Sequence, residues 1–125
     1  MKQEATRVLL VDDEVAFLEV VQKRMSKRNV HITPASSGSA AVAILRQQDF
    51  EVAVVDLKME DMDGLEVLKI FKTMVPELPV IMLTGHGSET AAREGMKLGA
   101  FDYLTKPCDL EELLKKIQNA TQRAR

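Results

Sequence analysis

A chain of 125 residues, 46% hydrophobic and 29% charged, is large enough to bury one core and too short for two well-built domains, so a single domain over residues 1–125 is expected. Its 17 basic residues are offset by 19 acidic ones to a net charge of -2, which gives no general attraction to nucleic acid or to an anionic membrane. The composition is that of an ordinary globular protein, and the single cysteine, Cys108, rules out an internal disulfide and reads as a structural thiol in a reducing compartment.

Taken in chain order, Met1 to Arg7 carries charge and no apolar stretch of leader length, and no later run is apolar enough to span a bilayer. A cytoplasmic protein with no direct membrane or nucleic-acid partner is therefore expected. Arg7 to Val11 is a nearly continuous apolar run suited to a strand buried on both faces. A helix follows over Val15 to Lys27, with Phe17, Leu18, Val21 and Met25 at helical spacing. Val30 to Pro34 reads as a shorter, more polar edge strand, on which His31 is an ordinary edge residue, and Ser36 to Ser39 supplies caps for a helix through Gln47. Val52 to Val55 forms a third strand running into Asp56, and Asp63 caps a helix from Gly64 to about Val75. After Pro76 and Pro79 come a strand from Val80 to Leu83, a Gly-containing loop, and a helix capped by Ser88 and ended by Gly99. The last strand runs from Phe101 or Asp102 to Thr105, Lys106-Pro107 makes a turn, and Asp109 caps a helix with Leu110, Leu113, Leu114 and Ile117 on its buried side. The methionines read as packing or loop residues.

Strands alternating with helices predict an α/β fold, a doubly wound five-stranded parallel sheet, and right-handed crossovers make the order 2-1-3-4-5 the natural one. In such a sheet ligands bind outside the carboxyl ends of the strands, where the order reverses. Asp12, Asp13, Asp56, Thr84 and Lys106 all fall at those ends. Asp12, Asp13 and Asp56 would share one acidic pocket and call for a cation, best Mg2+, with the backbone carbonyl of Lys58 as a further oxygen ligand. Taken alone, Asp-Asp-Glu after a strand is equally an acidic helix start. The convergence with Asp56, Thr84 and Lys106 favours a site.

Val-Asp-Asp-Glu at 11 to 14, Val-Asp-Leu-Lys-Met at 55 to 59 with Asp63-Gly64, Leu-Thr-Gly-His-Gly at 83 to 87 and Gly-Ala-Phe-Asp-Tyr-Leu-Thr-Lys-Pro at 99 to 107 together resemble bacterial response-regulator receiver domains over essentially the whole chain. The resemblance implies the flavodoxin-like receiver fold and a phospho-aspartate switch of two-component signalling. Asp56 would be the phosphoacceptor, fed by a histidine kinase or phosphotransfer protein. Asp12, Asp13, Asp56 and the Lys58 carbonyl would hold Mg2+, while Lys106 and Thr84 would hold phosphoryl oxygens. Lys106 is equally read as a resting salt bridge to Asp56. Thr84 and Tyr103 would form the switch, Tyr103 turning inward when Thr84 moves, although Tyr103 also reads as a half-buried packing residue. Lys106-Pro107 would be a cis peptide. Lys58 and His86 would tune hydrolysis of the phosphoryl group.

The same resemblance implies that the face of the fourth helix, fifth strand and fifth helix controls an output domain, a downstream protein or a homodimer. Such a domain is a switch with slow self-dephosphorylation rather than a conventional enzyme. The phrases around Gly-His-Gly and Lys-Pro resemble the receivers of NtrC-like transcription activators. Met1 suits a natural start, and the last helix has no stop signal, as in a receiver excised from a longer regulator. Haloacid-dehalogenase-like phosphatases are disfavoured because the first strand offers adjacent acids instead of Asp-x-Asp. An FMN-binding flavodoxin is disfavoured because Asp12-Asp13-Glu14 would repel phosphate. A receiver that only binds proteins remains the alternative.

Overall fold

The computed structural model describes residues 4–85 and 87–123. Five strand-helix units follow in turn: β1 (Thr6–Val11), α1 (Val15–Ser26), β2 (Val30–Ala35), α2 (Gly38–Gln47), β3 (Val52–Asp56), α3 (Gly64–Met74), β4 (Val80–Thr84), α4 (Glu89–Lys97), β5 (Asp102–Thr105) and α5 (Leu110–Arg123). All neighbouring strands are parallel, and their order is β2-β1-β3-β4-β5, as the alternation predicts. The second strand is at an edge, but it is as long as β1 because it pairs with it from Thr6↔Val30 to Val11↔Ala35.

Successive strand residues point to opposite faces of the sheet, and each face has its own helix layer. On one side Val8, Leu10, Val54, Ile81 and Leu83 meet Leu18, Val21 and Met25 of α1 and Leu113, Leu114 and Ile117 of α5. On the other, Leu9, Val11, Val55 and Met82 meet Ala41 and Leu45 of α2 and Val67, Leu68 and Phe71 of α3. Central strands buried on both faces explain why β1, β3 and β4 read as unbroken apolar runs. At the other edge, β5 buries only Leu104. No helix among the described residues is long and apolar enough to cross a membrane.

Helix ends follow the local chemistry at most places. Ser37 accepts from the Ala40 N–H, Asp63 accepts from Leu65 and Glu66, and Asp109 accepts from Glu111. Ser88 behaves otherwise: its side chain makes no capping hydrogen bond, and its backbone (φ -104, ψ 20) lacks the extended shape that folds a cap onto the first turn. Gly99 takes φ +105 beyond α4, and Asn29 takes φ 62 between α1 and β2, a conformation asparagine tolerates better than most residues.

Gly64 sits hard against the end of β3. A β-carbon there would stand 2.4 Å from the Asp56 carbonyl oxygen and 2.5 Å from the Leu57 Cα, both backbone atoms that cannot turn away. Gly64→Ala is therefore expected to cost about 2 kcal/mol or more in urea unfolding. A midpoint equal to wild type would show that the turn relaxes freely.

Candidate functional site at the carboxyl edge of the sheet

Asp12 directly follows β1, and its N–H still donates to the Ala35 carbonyl at 3.0 Å. Its side chain is fully buried, with Oδ1 accepting from the Glu14 N–H at 2.9 Å and Oδ2 accepting from Lys106 Nζ at 2.8 Å. Asp13 is exposed beside it. Asp56 ends β3 opposite Leu83 of β4, is only 6% exposed, and accepts from the Lys58 N–H at 3.2 Å. Carboxylate oxygens of Asp12, Asp13 and Asp56 lie within 4.8 Å of one another. An all-oxygen, largely buried donor set of this kind suits a small hard divalent cation such as Mg2+ and does not suit zinc.

Lys106 reaches the cluster from beyond β5. Its N–H donates to the Thr84 carbonyl at 2.6 Å, and the Lys106-Pro107 peptide is cis. The ammonium lies 2.8 Å from Asp12 Oδ2 and 2.6 Å from Glu14 Oε1, but 3.9 Å from Asp56 Oδ2. The resting contacts of this lysine are thus made chiefly with Asp12 and Glu14 rather than with Asp56. Thr84, at the end of β4, is buried, and its hydroxyl has a 3.5 Å contact with that of Thr105, too long to hold it firmly. Tyr103 is 44% exposed at the rim of a groove of about 360 Å3 that Thr84, Ala92, Met96 and Thr105 also line. Lys58 is exposed, and His86 lies outside the described residues.

Sequence reasoning missed three residues. Glu14 and Phe17 both meet the Lys106 ammonium, the latter with its ring centroid 4.7 Å away. Their spacing of three residues, at the first turn of a helix beginning beside the pocket, was the available signal. Asp61 had none, because its partners lie in another unit. It accepts from the Gly38 and Ser39 N–H groups at 3.0 and 3.1 Å and from the Ser39 hydroxyl at 3.1 Å. These bonds tie the loop carrying Lys58 to the start of α2, and they hold the Asp61 carboxyl below the ordinary aspartate range.

Burial, followed by the charge of Asp12, pushes the Asp56 carboxyl up to about 6, against the opposing pull of the Lys58 N–H and the Lys106 charge. For Lys106, burial opposes the charged form, but hydrogen bonds to Asp12 and Glu14 and the charges of Asp12 and Asp56 outweigh it and raise its pKa. Because the Asp56 value in the fold exceeds the ordinary 3.8, the unfolded chain loses that proton first as pH rises. Without metal, stability supplied by the protonated carboxyl is present below the ordinary value and is lost on passing through the folded one. In chelator above pH 7, Asp56→Asn is expected to be more stable than wild type by on the order of 1 kcal/mol in urea unfolding. That advantage should shrink as pH falls from about 6 toward 3.8. A difference independent of pH would refute the assigned cause.

Comparison with known proteins agrees with this geometry. The transcriptional regulatory protein ZraR of Klebsiella oxytoca is 33% identical over the whole chain, which spans 28% of ZraR. The photosynthetic apparatus regulatory protein RegA of Rhodobacter capsulatus is 40% identical over 88% of the chain and 60% of its own length. A response regulator receiver domain protein from Clostridium thermocellum, known from its crystal structure, superposes with a TM-score of 0.91 at 32% identity, covering 94% of this chain and 95% of that one. Residues 8–118 match the model of the response regulator receiver domain, and the chain belongs to that family.

Proposed function

We propose that Asp56 accepts a phosphoryl group from a histidine kinase or phosphotransfer protein with Mg2+ bound, and that the modified domain presents an altered α4-β5-α5 face to an output domain or partner. The reading is carried by one observation: Asp12, Asp13, Asp56, Thr84 and Lys106, from four separate strand ends, converge on one edge of the sheet. A receiver is a phosphorylation-controlled switch, and its chemistry here follows from those residues.

A carboxylate oxygen of Asp56 attacks phosphorus, the new P–O bond forms as the donor's P–N bond breaks, and the electron pair leaves with the imidazole nitrogen. Nucleophile and phosphoryl group are both anionic, so their approach needs compensation. Asp12, Asp13, Asp56 and the Lys58 carbonyl would hold Mg2+, which when bound supplies Lewis-acid neutralisation of that charge. The Lys106 ammonium, 3.9 Å from Asp56, needs only a short swing to meet a phosphoryl oxygen. Thr84, whose hydroxyl is weakly engaged, can donate to another. Water attack at phosphorus later breaks the P–O bond to Asp56 and releases orthophosphate, with the exposed Lys58, two residues beyond Asp56, bordering the approach.

Thr84 moving toward the phosphoryl group would vacate space that Tyr103 can enter from its exposed position on the groove rim. That coupling would bias α4, β5 and α5 toward a second arrangement. The exposed Met96 and Tyr103 mark the same face, which is also the proposed homodimer surface. Likeness to ZraR, a transcriptional regulatory protein, supports transcription control by an NtrC-like regulator as the output. The cytoplasm is the proposed place of that activity.

Intact-protein mass after incubation with acetyl phosphate and Mg2+ is expected to show one labile phosphoryl adduct. Chelator or Asp56→Asn should abolish it, and Lys106→Ala should slow its formation by about 100-fold. No adduct in wild type, with beryllofluoride also failing to bind, would leave protein binding alone as the function.

A further inference from the structure

Building on the reading of Asp56 as phosphoacceptor, we propose that Glu14 and Phe17 form a resting cradle for the Lys106 ammonium. By holding that ammonium off Asp56, Glu14 acts as a positioning residue that sets how readily the domain accepts a phosphoryl group.

An ammonium has three protons to place. Here Asp12 Oδ2 at 2.8 Å and Glu14 Oε1 at 2.6 Å take the close positions, and the Phe17 ring stands 4.7 Å away. Asp56 Oδ2, at 3.9 Å, lies beyond hydrogen-bond range and gains only a diffuse electrostatic benefit. To grip an oxygen of a phosphoryl group on Asp56, the ammonium must leave Glu14 and the ring. The cradle therefore competes with the grip.

Glu14 stands apart from the carboxylates that cluster as a cation site, which are Asp12, Asp13 and Asp56. Its side chain is 63% exposed, while that of Lys106 is 18% exposed, so the partner that restrains the lysine is itself free to be drawn into water. A contact of this exposure shifts a balance by about twofold to fivefold and does not lock it. Glu14 also contributes its N–H to Asp12, but that is a backbone group which a side-chain substitution leaves in place.

The experiment is a double-mutant cycle on the whole domain, using wild type, Glu14→Gln, Lys106→Ala and the double variant, with the rate of adduct formation from acetyl phosphate and Mg2+ as one readout. Glu14→Gln should speed acceptance about twofold to fivefold when Lys106 is present and have no effect when it is absent. Removing an anion near an incoming anion could speed the reaction without involving Lys106. Equal acceleration in both backgrounds therefore overturns the proposal, as does no acceleration in either.

The second readout needs neither metal nor phosphate. In the metal-free wild type the Lys106 methylene resonances should carry the ring-current displacement of the nearby Phe17. Glu14→Gln and Phe17→Leu should each reduce it, and resonances unmoved by Glu14→Gln overturn the cradle. A wild type that accepts no phosphoryl group overturns the Asp56 reading and the claim about acceptance. The resonances still decide separately whether Glu14 positions Lys106.

Discussion

The side chains of Asp12 and Asp56 are withdrawn from water at the mouth of a parallel sheet, and withdrawing a carboxylate is costly unless something of opposite charge comes with it. Among the described residues the ammonium paired with both is that of Lys106, and it is divided unequally: Asp12 and Glu14 have it at hydrogen-bond distance and Asp56 does not. The carboxyl of Asp56 answers by holding its proton to about 6. A site left short of positive charge in this way is one that gains from a cation.

The placement of this charge depends on topology more than on local sequence. Because strand order reverses between β1 and β3, the ends of those neighbouring strands bring Asp12 and Asp56 together, although the residues are far apart in the chain. The helices on the two faces keep the strands in register through ordinary apolar packing. Gly64 lets α3 begin directly against the Asp56 carbonyl, and Asp61 fastens the intervening loop to α2. The position of Asp56 is thereby fixed from behind by backbone contact and from the side by a carboxylate at a helix start.

Much of the fold was legible because its signals are local or simple. Continuous apolar runs marked β1, β3 and β4, and helical spacing marked the buried sides of α1 and α5. Position at strand ends was enough to gather Asp12, Asp13, Asp56, Thr84 and Lys106. What could not be read was how side chains share partners once gathered. Nothing in the chain's spacing says that Lys106 prefers Glu14 over Asp56, or that Asp61 reaches back to Gly38 and Ser39. Ser88 misled for the complementary reason, since residue type favoured a cap that the backbone shape there does not permit.

Tyr103 carries a consequence of a different sort. The chain has one tyrosine and no tryptophan, and that tyrosine is the partly exposed ring on the rim of the groove beside Thr84. Ultraviolet emission excited in the tyrosine band therefore comes from a single, known place. The domain carries its own optical reporter, and quenching by a small solute in solution registers the surroundings of that ring without any attached label.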